Sequence, residues 1–283
     1  MSEVALGLQL NGEASRCDMR VISLGAGVQS TAMYLMAASG ELVPRPDVAV
    51  FADTQSEGVY TYEHLDWLDK NFGSVIPIRR LSIGSLYDRV LDGASAGAFS
   101  PVPFWVESGN GRSSPGRRQC TREYKVDVVK LAIRQELGLA RGQHASGKYR
   151  VEEWIGISLD EAHRAKPSKY TWIDTRWPLL HDRPTRRGGC IDWLSERGYP
   201  IPKNSACVFC PWLSDAQWRD MRDNHPAEFS KAVAIDTAVS ACTPMQRVHR
   251  SMLPLPEAIA GPSSSDSEQM SLFGNECEGM CGL

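Results

Sequence analysis

The segment SLGAGVQST at residues 23–31 has the residue types that bind phosphate. It follows a short apolar run and precedes apolar residues at helical spacing. Glycines let a backbone approach a phosphate closely, and the exposed N–H groups at a helix start favour negative charge. The segment lacks the lysine of GxxxxGK[ST], and Ser30 stands where GxGxxG would place its third glycine. It predicts a phosphate-binding turn, with a plain glycine-rich strand-to-helix turn as the alternative.

Cysteines form the second chemical group. The sequence has eight of them, and the pair Cys207-x-x-Cys210 fits a zinc site, an iron–sulfur cluster or a redox pair. Cys120 and Cys190 lie in loop-like contexts beside arginines, which would offset the charge of thiolates. These four thiols are therefore candidate metal ligands.

Two further cysteines, Cys277 and Cys281, follow the serine-rich stretch GPSSSDSE at residues 261–268. A tethered thiol can swing into a site and pass on electrons or sulfur, and a second thiol can resolve a mixed disulfide or persulfide. Both are candidate catalytic residues. The alternative is a mobile tail with incidental cysteines.

Strands and helices alternate in the predicted elements that position these groups. Alternation of this kind implies parallel βαβ units, so the fold class is α/β, with a parallel sheet that has helices on both faces. Residues 91–118 are expected to form a long loop. Strands are predicted at 20–24, 48–52, 75–78 and 151–157, and helices at 30–38, 60–71, 124–137, 191–197 and 215–240.

Composition bounds the class of protein. The 283 residues are 42% hydrophobic and carry a net charge of −3, which is ordinary for a globular chain and argues against a general polyanion binder. No apolar run approaches the roughly 20 residues of a membrane span, and the first residues lack the pattern of a secretory signal. We expect a cytoplasmic protein without membrane contact.

A resemblance joins several segments in order. SLGAGVQS at 23–30 followed by FADT at 51–54 resembles the PP-loop ATP pyrophosphatase superfamily, and within it the phosphoadenosine-phosphosulfate (PAPS) reductase-like branch. This resemblance implies a Rossmann-like fold of the adenine nucleotide alpha hydrolase-like kind. The further matching segments are CTREYKV at 120–126, GISLDEAHR at 156–164, WPL at 177–179, IDWL at 191–194 and SACVFCP at 205–211.

The resemblance also implies a division of the chain. It covers residues 19–213, which would form the nucleotide-binding domain with its cysteine cluster. Residues 1–18 would be a polar lead-in, residues 214–260 a helical C-terminal region and residues 261–283 the flexible tail.

Site residues follow from the same resemblance. Arg164 would be catalytic, and Arg122 and Lys166 are further candidates for anion contacts. Gln29 replaces the aspartate that helps hold Mg²⁺ in ATP pyrophosphatases, and Ser158 replaces a usual arginine. The implied nucleotide-binding residues are Ser23, Gly25, Gly27, Gln29, Ser30, Thr31, Asp53, Thr54, Gly156 and Glu161.

Related iron–sulfur proteins place two adjacent cysteines before a Lys-Val helix and then a distant CxxC. Cys120 matches the first of the two, Thr121 replaces the second, and Cys190 would supply the missing ligand. The resemblance therefore implies a 4Fe–4S cluster on Cys120, Cys190, Cys207 and Cys210, with zinc as the alternative. Dnd-type DNA phosphorothioation sulfurtransferases and some tRNA thiolases are similar.

Three functions remain open at this point. In the first, an iron–sulfur-dependent enzyme cleaves ATP to AMP and pyrophosphate, with Mg²⁺ as a further candidate cofactor. A sulfur species held on the cluster or on a cysteine persulfide is transferred to DNA or tRNA, and a cysteine desulfurase supplies the sulfur. In the second, a PAPS or APS reductase releases sulfite through a tail cysteine, and thioredoxin restores the thiol. In the third, the chain is a non-catalytic nucleotide-binding subunit of a DNA-modification or defence complex.

Overall fold

A five-stranded parallel sheet organises the described part of the chain, which in this computed structural model covers residues 17–97, 100–109, 111–203 and 205–261. Its strand order is β3-β2-β1-β6-β7. The strands are β1 (Met19–Ser23), β2 (Val48–Ala52), β3 (Ile78–Leu81), β6 (Val151–Ile155) and β7 (Ile173–Arg176). The predicted fold class, a Rossmann-like α/β sheet, is confirmed.

Helices cover both faces of this sheet. On one face, α1 (Val28–Ala38), α2 (Val59–Phe72), α5 (Pro178–His181) and α6 (Arg187–Glu196) share a core with the sheet. On the other face, α4 (Asp127–Glu136) contributes a stripe of four buried residues, Val128, Val129, Ala132 and Ile133. Because both faces are covered, β2 is an unbroken apolar run, VAVFA, with every residue buried.

The chain reverses its direction of travel across the sheet between β1 and β6. From β1 it moves outward through β2 to β3, and it then returns to place β6 on the other side of β1. In open α/β sheets such a switch point leaves a crevice beyond the carboxyl ends of the two strands, where ligands bind.

A second core joins the C-terminal helices to the middle of the chain. The helices are α3 (Leu86–Ser95), α7 (Asp215–Asn224), α8 (Pro226–Cys242) and α9 (Leu255–Ala258). They pack around Phe104, Phe209 and Trp218, each of which is buried. A small antiparallel sheet of β4 (Trp105–Ser108), β5 (Arg112–Pro115) and β8 (Gln246–Arg247) borders this core.

Three predicted elements differ from the structure. The helix predicted at 215–240 is two helices, α7 and α8, because Pro226 begins a new helix. The third strand was predicted at 75–78 but runs from Ile78 to Leu81, after Pro77, which has no N–H to donate to a sheet. The long loop predicted at 91–118 instead contains the end of α3 and the hairpin of β4 and β5. The short strand pairs of this hairpin lack the apolar alternation that signals a strand.

Within the residues that the structure describes, no helix combines the length and the apolar character that a membrane crossing requires.

Asp236 tests how the C-terminal segment is attached to α8. Its buried carboxylate accepts the N–H of Val248 at 2.8 Å and that of Leu255 at 3.0 Å. We expect Asp236→Ala to lower the free energy of unfolding by about 2–4 kcal/mol, because two buried donors lose their acceptor. Urea denaturation measures this change.

The matched control is Asp174→Ala, which removes an exposed carboxylate paired with Arg150. An exposed ion pair contributes about 0–1 kcal/mol. Equal losses in the two variants would contradict this role for Asp236.

Candidate functional site

The glycine-rich turn lies between β1 and α1, at the switch point. Ser23 is the last residue of β1, and Gly27 caps α1 in an extended conformation. Ala26 adopts a left-handed φ of 58°, which is uncommon without glycine. This conformation turns the chain sharply into α1, so the first N–H groups of the helix face the crevice edge of the sheet.

Gly156 brings the end of β6 against this turn. A Cβ atom there would lie 2.9 Å from both the N and the Cα of Ser30 and 3.2 Å from the carbonyl carbon of Gln29. Real Cβ atoms do not approach backbone this closely, so only glycine fits without moving α1. The resemblance predicted that Gly156 binds the nucleotide. In the structure, Gly156 lets the backbone of β6 approach the backbone of α1 closely.

A shallow cleft opens between the turn and β6, and its space of about 250 Å³ includes open solvent. Its walls include five of the predicted site residues, Ser23, Ser30, Gly156, Glu161 and Arg164, together with Ile155 and Ile157. Arg164 forms an ion pair with Glu161 across the 3₁₀ turn Leu159–Arg164, and both side chains are largely buried. A helix N-terminus on one wall and a guanidinium on the other make the cleft suited to an anion.

Gln29 serves the framework of this cleft. Its amide nitrogen donates to Ser158 and Glu161, each at 3.4 Å, and its oxygen accepts from Arg187 at 2.9 Å. The side chain thereby ties α1 to the 3₁₀ turn and to α6. Ser158, at the position of the family's arginine, donates to Asp160 at 2.6 Å.

Thr31 lies away from the cleft lining, although the resemblance predicted a phosphate contact. It is fully buried, and its hydroxyl hydrogen-bonds the His64 ring on α2 at 3.0 Å. Helical geometry explains the difference, because successive helical residues point in directions about 100° apart. Burial lowers the pKa of His64 to about 4, so this ring is neutral at pH 7.

Asp53 and Thr54 follow the carboxyl end of β2, as predicted, but take separate roles. The Asp53 carboxylate accepts the N–H of Gln55 at 2.7 Å and the hydroxyl of Tyr62 at 2.8 Å, which stabilises a tight turn. Thr54 is buried and lines a second pocket, together with cysteines.

Three predicted thiols converge on this second pocket. Cys120, Cys207 and Cys210 line it with Arg118 and Lys125, and its space of about 410 Å³ includes open solvent. Cys207 Sγ lies 3.5 Å from the hydroxyl of Thr54. Thr54 follows Asp53 directly after the end of β2. Since β2 neighbours β1, this thiol pocket lies at the same sheet edge as the cleft.

A buried ion pair supports the thiol pocket. Lys125 Nζ lies 3.1 Å from Glu57 Oε1, and the two side chains are 7% and 0% exposed. Glu57 also accepts hydrogen bonds from Thr54 at 3.3 Å and from Ser205 at 3.5 Å. Sequence reasoning missed Glu57, because a single glutamate in a turn has no spacing pattern.

The charge around Cys207 favours its neutral thiol. Burial raises the pKa of Cys207 well above its usual value, and the nearby Glu57 carboxylate raises it further, while Lys125 opposes this.

Cys190 does not join the other three thiols, contrary to the prediction. It is fully buried on α6 among Leu179, Trp193 and Leu194, whereas Cys120 and Cys207 pack against the second core. The described residues form no group of three or more His, Cys, Asp or Glu side chains that would hold a metal. The four predicted ligands therefore do not lie in one core in the described structure, and the 4Fe–4S cluster with its zinc alternative stays a prediction.

The tail cysteines Cys277 and Cys281 lie outside the described residues. Arg122 and Lys166, the further candidates for anion contacts, line a third pocket that adjoins the cleft.

Comparisons with known proteins show a structural similarity and no matching family. No family model matches the sequence, and none of the curated proteins matches it. Among solved structures, the phosphate complex of phosphoadenylyl-sulfate (PAPS) reductase from Candida auris is similar to this chain at 12% identity and a TM-score of 0.39. The similarity covers 69% of this chain and 82% of that one. The activity of this chain has to be inferred from its own residues.

Gly156 provides a test of the cleft geometry. We expect Gly156→Ala to lower the free energy of unfolding by about 1–3 kcal/mol, because the added methyl group overlaps the α1 backbone at Ser30. Gly188→Ala is the control, since a Cβ at Gly188 meets open space within α6. Urea denaturation of both variants checks this, and a fully stable Gly156→Ala protein would contradict it.

His64 gives a pH dependence. Its pKa is about 4 when folded and about 6.5 when unfolded, so the unfolded chain binds more protons between these values. The His64 contribution is therefore complete above pH 6.5 and is lost as pH falls towards 4, by about 3 kcal/mol at most. From pH 7 to pH 4 the unfolding free energy of the wild type should fall more steeply than that of His64→Gln. His144→Gln, on the surface, is the control, and parallel curves for wild type and His64→Gln would exclude the effect.

Proposed function

We propose that this chain is a PP-loop enzyme that binds an adenine nucleotide by its phosphates in the cleft and uses it in sulfur chemistry at the thiol pocket. One observation carries the proposal. The glycine-rich turn at the start of α1 and the Arg164 guanidinium face one cleft at the topological switch point of a parallel sheet. Anions bind where helix N–H groups and a guanidinium converge.

The thiols support the sulfur part of the proposal. Cys120, Cys207 and Cys210 line one pocket at the sheet edge that also holds the cleft. In the proposed reaction, an acceptor oxygen attacks the α-phosphorus of ATP, and pyrophosphate leaves. The terminal sulfur of a cysteine persulfide, supplied by a cysteine desulfurase, then attacks the acceptor and expels AMP.

The two thiols of the CxxC motif release the product of this reaction. After the transfer, the acceptor is held to the enzyme by a disulfide. A second cysteine thiolate attacks the enzyme-side sulfur, which releases the acceptor thiol and leaves a Cys–Cys disulfide. A dithiol reductant such as thioredoxin restores the pair. DNA or tRNA is the proposed acceptor, and no step uses a metal cluster.

A second candidate function is reduction of PAPS or APS to sulfite. One observation favours it, since Gln29 stands at the place of the Mg²⁺-binding aspartate and both ends of its amide bond to the protein. In this reaction a thiolate, with Cys277 or Cys281 as the candidates, attacks the sulfonyl sulfur and the nucleotide leaves. A second thiol then releases sulfite and forms a disulfide.

Arg164→Gln tests the shared part of both functions. A charge-assisted hydrogen bond contributes about 1.5–3 kcal/mol, so we expect the affinity for ATP, or for PAPS, to fall roughly 10- to 100-fold. Isothermal titration calorimetry measures it. The control is Arg79→Gln, which removes an exposed arginine paired with Glu136 on the far edge of the sheet.

Product analysis then separates the two reactions. Pyrophosphate and AMP from ATP would support sulfur transfer, and sulfite from PAPS would support reduction. Tight nucleotide binding without turnover, even with desulfurase, reductant and nucleic acid added, would leave the non-catalytic subunit. Unchanged nucleotide affinity in Arg164→Gln would contradict the proposed cleft.

A further inference from the structure

A third pocket adjoins the cleft on its β6 side. The two share Ile155, Ile157 and Arg164 as lining residues. The space of this third pocket is about 930 Å³, a volume that includes the open solvent at its mouth.

Two polar groups without partners line this pocket. Glu153, on β6, is 9% exposed, and its carboxyl forms no hydrogen bond or ion pair with any described residue. The buried Trp177 Nε1 likewise has no acceptor in the described structure. Buried polar groups are normally hydrogen-bonded, so an acidic side chain and an N–H donor left open in one pocket point to a ligand.

Apolar side chains form the walls around these groups. Val126, Ile155, Ile157 and Ile173 line the pocket, and Tyr170 and Trp177 add aromatic surface. Burial raises the pKa of Glu153 to about 7, so near neutrality its carboxyl both donates and accepts hydrogen bonds. Apolar walls and a carboxyl that both donates and accepts hydrogen bonds suit a flat heteroaromatic ring.

The mouth of the pocket is cationic. Arg122, Lys166 and Lys169 are exposed there, and neither lysine pairs with a carboxylate in the described residues. Lys130 is held by Asp127 at 2.9 Å and by the Tyr170 hydroxyl at 2.5 Å. Including Arg164, the lining has five cationic side chains against two carboxyl groups, an excess suited to phosphate.

We propose that the third pocket binds a nucleobase together with its phosphate, with the base edge on Glu153 and Trp177 and the phosphate on Lys166 and Lys169. As the sulfur acceptor of the proposed function, this ligand would lie beside the adenine nucleotide. Only that role as acceptor rests on the proposed function. The same chemistry is offered by a free mononucleotide and by an unpaired residue of a single strand.

The experiment uses the full chain with both sources as probes. Fluorescence anisotropy follows labelled single-stranded pentanucleotides of U, C, A or G, and calorimetry follows the four free mononucleotides, each with saturating ATP present. We expect at least one base to bind as a pentanucleotide, as a mononucleotide or in both forms. Saturating ATP should not displace it. Tighter pentanucleotide binding identifies a strand as the source, and tighter mononucleotide binding identifies the free nucleotide.

Variants test the assigned contacts. Glu153→Gln keeps the shape of the side chain with one donor and one acceptor, so the affinity for the base-containing probe should stay within about threefold. Glu153→Leu should lower that affinity by at least about tenfold. Trp177→Phe keeps the ring but removes the N–H, and gives a second readout if Glu153→Leu fails to fold. Unchanged affinity in both Glu153→Leu and Trp177→Phe would overturn the proposal.

The cationic mouth is tested by a double substitution. Lys166→Gln with Lys169→Gln should weaken pentanucleotides of every sequence and reduce the slope of log affinity against log salt by roughly 1–2. The control double substitution, Lys148→Gln with Lys231→Gln, removes two exposed lysines outside the pocket lining.

Failure of this inference differs from failure of the proposed function. ATP binding in the cleft with no base-containing ligand bound at millimolar concentration would overturn the third pocket alone. Base binding that depends on Glu153 in a protein that ignores ATP and PAPS would retain the pocket and overturn the nucleotide cleft.

Discussion

The approach of Gly156 to the backbone of Ser30 is the contact on which the cleft depends. It brings the carboxyl end of β6 against the start of α1, where two strands that are far apart in the chain lie side by side. Any larger residue would push the helix from the sheet, and the walls that carry Ser30 and Arg164 would separate. The cleft is therefore as narrow as a backbone contact allows.

A second constraint is electrostatic. The buried pair of Glu57 and Lys125 joins the segment after β2 to the turn before α4. An antiparallel β-bridge pairs Glu57 with Cys207, and the N–H of Val208 donates to the carbonyl of Ser56. These backbone contacts hold the CxxC segment against the segment after β2. Separating two buried charges is costly, so the pair holds the thiols beside the sheet edge.

The two cores divide the cysteines as well as the helices. Cys190 is enclosed by apolar residues of the sheet domain, while Cys120 and Cys207 border the core built by the C-terminal helices. The two glycines before Cys190 predict a loop that would present this thiol to a metal. Arg187–Glu196 is instead helical, and Cys190 lies on the buried face of that helix. Packing decided which thiols meet.

The sequence alone determined the class of fold and the glycine-rich turn between β1 and α1, because apolar periodicity and glycine placement are local signals. It also indicated Ser23, Ser30, Gly156, Glu161 and Arg164, which the structure brings to one cleft. Only tertiary structure decided that Thr31 faces His64, that Gln29 braces the framework, and that Glu153 and Trp177 share a pocket. Such contacts depend on strand order and helix rotation, which bring together residues of different elements and leave no mark in local spacing.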